Sequence, residues 1–254
     1  KMKKLLLSAF VICLAGTSIA QESPLWMRHC ALSPDGTTIA FTYKGDIYTV
    51  PSTGGRATQI TTNPAFDTEP VWSPDSKQIA FASDRMGSLD VFVVSSEGGA
   101  PQRLTTHSGS EKPVAYKDNK HILFTANIAP SAEDAGFPSG QFQQVYEVAV
   151  TGGRPAMFSS MPMECISINK EGVMLYQDKK GYEDYWRKHQ VSPIARDIWT
   201  YTPGKKPVYQ KQTTFGGEDR DPVWSPDGKS FYYLSEEKGS FNIFQRTPGT
   251  TTSQ

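Results

Sequence analysis

The chain has 254 residues and a mass of 28.1 kDa, with 26 Lys+Arg against 26 Asp+Glu and a pI near 7.1. That balance excludes a basic nucleic-acid-binding or polybasic membrane-surface role, since either needs a cationic excess. Gly (21) and Pro (18) together make about 15 % of the chain against a usual ~12 %. This indicates a turn-rich β protein and neither a disordered chain nor a coiled coil.

In chain order, Lys1, Lys3 and Lys4 precede the apolar run Leu5–Ala15, and small residues follow up to Ala20. A basic start, a short apolar segment and small residues before a cut describe a signal peptide over residues 1–20. The run is too short to span a membrane, which takes ~20 apolar residues. The expectation is export to the periplasm, with no membrane association after cleavage.

From there the chain repeats itself. Ala31-Leu32-Ser33-Pro34-Asp35, Val71-Trp72-Ser73-Pro74-Asp75 and Val223-Trp224-Ser225-Pro226-Asp227 are copies of one motif. Degenerate copies are Val114-Ala115-Tyr116-Lys117-Asp118 and Ile168-Asn169-Lys170-Glu171-Gly172. After each comes an apolar stretch such as Gln78-Ile79-Ala80-Phe81, then an acid or amide with an aromatic: Asp46-Ile47-Tyr48, Asp90-Val91-Phe92, Asp197-Ile198-Trp199 or Asn242-Ile243-Phe244. A Gly-Gly turn and a short last strand follow in the better-preserved units. Ser-Pro-Asp-Gly forms a turn because Pro fixes φ, Asp caps its own backbone and Gly accepts positive φ. The acidic turn residue recurs at 35, 75, 118, 171 and 227, so the period is 40–56 residues. Four short strands per unit at such a period specify an all-β fold, a β-propeller of four-stranded blades. The blades run approximately over 28–66, 67–107, 108–161, 162–215 and 216–254. The expectation is five visible blades, the last incomplete, of a six-bladed ring, and hence a fragment of a longer polypeptide.

Catalytic motifs are missing from the sequence: there is no G-x-S-x-G, H-E-x-x-H or C-x-x-C. Asp227-Gly228-Lys229-Ser230 imitates the end of a phosphate loop, but Val223 stands where its first Gly is required. The four histidines, His29, His107, His121 and His189, lie in different units without ligand-like spacing. No cofactor and no metal are expected, and no residue is assigned a catalytic role. The recurring Asp46, Asp90, Asp197 and Asn242 are expected to serve local backbone hydrogen bonding, and Trp72 and Trp224 to fill the spaces between blades.

Across residues 21–254 the repeat resembles the TolB-type, WD-like propeller, and the chain resembles the N-terminal propeller of bacterial Tricorn protease homologues. The stretches that carry the resemblance are Tyr43-Lys44-Gly45-Asp46-Ile47-Tyr48, Phe137-Pro138-Ser139-Gly140, Tyr185-Trp186-Arg187-Lys188-His189 and Arg196-Asp197-Ile198-Trp199. It implies a non-catalytic propeller at the start of a periplasmic serine peptidase, guiding peptide access or product exit. The partners implied are peptides or the remaining domains of the same polypeptide, and homo-oligomerisation of the full-length protein is allowed. Two alternatives stay open: a TolB-like protein-binding propeller with no linked enzyme, and the propeller of a prolyl-oligopeptidase-like hydrolase.

In this repeat type the strand before Ser-Pro-Asp is innermost, so its first residues rim one mouth of the central channel. The mouth candidates are Arg28, His29, Glu69, Glu111, Glu164, Arg220 and Asp221. Two long connections, Asn127–Gln143 and Gln177–Arg196, fall on the same face, and the second supplies the contact-loop candidates Tyr182, Tyr185, Trp186, Arg187 and Lys188. Cys30 and Cys165 begin innermost strands of distant blades, beyond the ~7 Å limit for a disulfide, so two free thiols are expected.

Overall fold

The computed structural model describes residues 26–128, 142–181, 189 and 191–250. The signal-like segment 1–20 and the candidates Tyr182, Tyr185, Trp186, Arg187 and Lys188 lie outside the described residues. The first sheet is β1 (Arg28–Leu32), β2 (Thr38–Tyr43), β3 (Asp46–Pro51) and β4 (Thr58–Gln59). The second is β5 (Asp67–Trp72), β6 (Gln78–Ser83), β7 (Asp90–Ser95) and β8 (Gln102–Arg103). Then come β9 (Lys112–Asp118), β10 (His121–Ala126), β11 (Gln144–Ala149) and β12 (Ala156–Ser159), followed by β13 (Met163–Ile168), β14 (Met174–Asp178), β15 (Ile198–Thr202) and β16 (Val208–Lys211). The last sheet among the described residues is three-stranded: β17 (Asp219–Trp224), β18 (Phe231–Ser235) and β19 (Asn242–Arg246). Each sheet is an antiparallel meander in chain order. The first strands β1, β5, β9, β13 and β17 pack on one another in succession, which makes them the innermost strands of a β-propeller.

Local chemistry explains the repetition. Ser73 Oγ donates to Asp75 Oδ1 (2.7 Å), while the Lys77 and Gln78 amides donate to Asp75 Oδ1 and Ser73 Oγ. Ser33 with Asp35 and Ser225 with Asp227 form the same lock. In the fourth blade Asn169 does the capping: its Oδ1 accepts from the Glu171 and Val173 amides. Within blades, cross-strand aromatic pairs recur, stacked in Phe41–Tyr48, Phe81–Phe92 and Phe124–Tyr146 and tilted in Tyr233–Phe244, at 5.7–5.9 Å between centroids. Between blades, Trp72 packs with Ala40, Ile47 and Ile60 of the preceding blade and donates its indole N–H to Ala31 O (3.0 Å). Trp224 does likewise toward Val173 O (3.2 Å). Both tryptophans therefore fill seams, as expected.

The strand-start acids play a different part from the one expected. The backbone amides of Ile47, Val91 and Ile198 donate to the hydroxyls of Thr61, Thr105 and Thr213, each at 2.9 Å. The acids instead take side chains from the outermost strands: Gln59 and Thr61 on Asp46, Arg103 on Asp90, Lys211 on Asp197. A hydroxyl reaches a backbone N–H there because the strand's last residues curl back over the start of their neighbour.

Candidate functional site

The innermost strands share one irregularity. In β1, β5, β13 and β17 the register slips between Arg28 and Ala31, Thr68 and Val71, Glu164 and Ser167, and Arg220 and Val223. Each slip is a β-bulge whose second residue is left-handed: His29 (φ 51°), Glu69 (φ 54°), Cys165 (φ 52°) and Asp221 (φ 53°). A non-glycine residue held there costs on the order of 1–2 kcal/mol. A bulge leaves its extra residue out of the ladder and re-aims a side chain, and four innermost strands carry one near their first residues. In β9 the slip is carried past Pro113, which has no freedom to turn left-handed.

That register corrects one mouth candidate. Tyr116 pairs with Ile122 as Trp72 pairs with Ile79, although its turn acid follows two residues later where Asp75 follows three after Trp72. The turn of the third blade is thus one residue short, and Glu111 takes the place of Asp67, below the rim. Glu111 is buried, with neither carboxylate oxygen hydrogen-bonded among the described residues. Burial pushes its pKa up; the nearby Thr105 opposes that less strongly, the Asp90 charge adds to the rise, and His107 takes from it. Lys112 occupies the rim in its stead and pairs with Glu69 (2.7 Å) across the seam between the second and third blades. Counting back from the aromatic rather than from the acid would have found Lys112.

On the other side the rim is a network. Glu164 accepts from Lys179 (2.8 Å), Gln177 (3.0 Å) and Arg196 (3.3 Å), and Arg196 continues to Glu218. Burial would raise the Glu164 pKa, but Lys179, Gln177 and Arg196 outweigh it and hold the carboxyl below its ordinary value. Gln177 Oε1 accepts the Asp221 amide (2.8 Å), and Cys165 Sγ donates to Asp221 Oδ1 (3.3 Å). Desolvation and then the Asp221 carboxylate push the Cys165 thiol up, which keeps it a hydrogen-bond donor to Asp221 although the residue is exposed. Sequence reading did not single out Cys165 for the rim. Its signal is its place, three residues before the strand end, which it shares with His29, Glu69 and Asp221. Arg220 lies over the Phe241 ring (3.9 Å) and approaches Asp221 (3.7 Å). Arg28 stacks over Trp26 (5.4 Å), and Arg28 and His29 are exposed. The structure thus joins Glu69 to Lys112 and Glu164 to Asp221 through Gln177, while Arg28 and His29 stand apart. Cys30 and Cys165 are free thiols in separate sheets.

The sequence profile of the Tricorn protease N-terminal beta propeller domain matches residues 24–254. Over 213 residues the chain is 39 % identical to Tricorn protease homolog 1 of Streptomyces coelicolor, covering 83 % of this chain and 19 % of that protein. It spans 27 % and 19 % of the length of the first two curated relatives it matches. Among solved structures, the tricorn protease superposes with a TM-score of 0.72 at 16 % identity, over 91 % of this chain and 22 % of that one. A putative TolB from Agrobacterium tumefaciens gives 0.70 at 14 % identity, over 91 % and 80 %; at such identities the likeness is one of fold. With the profile match spanning practically every described residue, the chain belongs to the Tricorn protease N-terminal β-propeller domain family.

Proposed function

We propose that this chain is the non-catalytic propeller of a periplasmic, Tricorn-like serine peptidase, and that its bulged mouth guides peptides to or from an active site carried elsewhere in the full-length protein. The observation that carries this reading is the row of left-handed rim residues, His29, Glu69, Cys165 and Asp221. A strained backbone repeated in four blades aims polar side chains at one opening, where a passing peptide offers charges and backbone groups. The family membership and the small share of its relatives that the chain spans support a larger peptidase around it. Closure by a further blade is supported by two uncovered apolar faces: Leu32 is 56 % and Ile243 73 % exposed, while their counterparts Trp72 and Val91 are buried in seams. Export through residues 1–20 is part of the same proposal, and fractionation with N-terminal sequencing of the mature protein tests it.

The central test is charge reversal at the rim, Glu69→Lys and Asp221→Lys, in the full-length gene product. Peptide binding and kcat/KM on long peptides should change by on the order of tenfold per lost charged contact, with turnover of a minimal substrate unchanged. Unaltered binding and unaltered turnover of long peptides would overturn the reading.

A further inference from the structure

The end of the propeller opposite the mouth holds a cavity of about 360 Å³ in the seam between the first two blades. Its wall joins the Ser33–Thr38 turn, the end of β3 and the β7–β8 turn, and has Trp72 as part of its apolar lining. Asp35 and Glu97 supply its formal charges, and no Lys, Arg or His lines it among the described residues. Asp35 is held ionised: bonds from Ser33 and Thr37 bring its pKa down to about 2.

One feature sets this seam apart from its neighbour and a second is shared in part, since Asn119 Oδ1 accepts the Asp75 amide (3.1 Å) across the next seam as Ser76 accepts that of Asp35 here. Thr49 lines the cavity at 8 % exposure, and its hydroxyl has no hydrogen bond among the described residues. In the second blade the same register position is Val93, opposite Ala80 as Thr49 is opposite Ala40, and Val93 packs with Tyr116 in an apolar cluster. The second feature is Ser76, left-handed at φ 60° where the sister turns use Gly36 (φ 75°) and Gly228 (φ 70°). Ser76 lines the cavity, and its hydroxyl accepts the Asp35 amide across the seam (3.3 Å). A glycine would remove the strain but also the hydroxyl.

We infer that this seam is a binding site for a primary alkylammonium group, the ammonium held by Asp35, Glu97 and the Thr49 and Ser76 hydroxyls, the alkyl chain lying toward Trp72. An ammonium offers three donors and no acceptor, which matches a wall of carboxylates and hydroxyls without a cation. The site is remote from the mouth and does not rest on the peptidase reading.

Calorimetric titration of the purified chain with n-butylammonium should show saturable one-to-one binding, and Glu97→Gln and Thr49→Val should each weaken it by on the order of tenfold. Ser76→Gly should weaken binding while raising the melting temperature, which separates a lost contact from a folding defect. Butanol binding as well as butylammonium, or affinities unchanged in both Glu97→Gln and Thr49→Val, would overturn the site. Nα-acetyl-lysine methylamide is the second probe. Tighter binding than butylammonium supports a lysine side chain as the natural ligand, and weaker binding supports a free amine.

Discussion

The second and fifth blades open with almost the same words, Asp67-Thr68-Glu69-Pro70-Val71-Trp72 and Asp219-Arg220-Asp221-Pro222-Val223-Trp224, yet each shared residue meets different physics. Both leading aspartates are buried. Asp67 receives the Arg85 guanidinium on both oxygens (3.0 and 2.9 Å), and Arg85 in turn lies 4.5 Å over the Phe92 ring. Two residues beyond the matching strand serine, Glu237 stands where Arg85 does. Burial therefore pushes Asp219 up to about 6 against weaker pulls from Ser235 and Thr213, with the Asp197 charge a smaller addition and Arg246 a smaller offset. The lesson is that a repeat motif dictates strand, bulge and turn, while the state of its charges belongs to the neighbours.

The largest expected effect breaks the better-satisfied side of that comparison. Arg85→Met leaves Asp67 buried and unpaired and should cost about 3–5 kcal/mol in urea unfolding. The same substitution with Asp67→Asn should recover most of that loss.

On the fifth blade the sign reverses. Asp219 binds its proton more tightly folded, at about 6, than as a free side chain at ~3.9. Its contribution is therefore most favourable below about pH 4, falls as the pH rises to about 6, and stays at the lower level above. Asp219→Asn should abolish this fall, raising stability at pH 8 relative to pH 4 by up to about 3 kcal/mol over the parent chain. A parallel pH profile for the two proteins would contradict the buried, disfavoured carboxylate.

A smaller contrast uses the seam positions. Val91→Thr puts a hydroxyl into a closed seam and should cost about 1–3 kcal/mol, whereas Ile243→Thr, on an uncovered face, should stay within about 0.5 kcal/mol. Equal costs in this chain would mean that the face at Ile243 is covered. The smallest effect concerns the rim: Glu69→Gly relieves a left-handed side chain but loses a half-exposed pair with Lys112. A net gain of about 0.5 kcal/mol is expected, read as a small rise in denaturation midpoint.

Much of this was legible from residues alone. Turn chemistry at Ser33, Ser73 and Ser225, alternation of apolar residues and the recurring aromatics determine the blades without help from distant parts of the chain, because each depends on groups within a few residues. The seam role of Trp72 and Trp224 followed from the same pattern. The mouth was legible only in outline. Arg28, His29, Glu69, Glu164, Arg220 and Asp221 start innermost strands as read, but a turn one residue short buried Glu111 and raised Lys112 to the rim. Cys165 was read as a free thiol on an innermost strand but not as a bulge residue, because no residue type announces a left-handed bulge.

What the sequence by itself determined is the all-β repeat and its innermost strands, since hydrogen bonds and side-chain periodicity there are local. What only the tertiary structure decided is which carboxyls are neutralised, which rim residues meet across seams, and where a hydroxyl-lined cavity opens between blades. Those depend on register and on charges brought together from blades some forty to fifty residues apart. Burial makes such charges decisive, because desolvation leaves a carboxylate stable only where a cation or a donor reaches it.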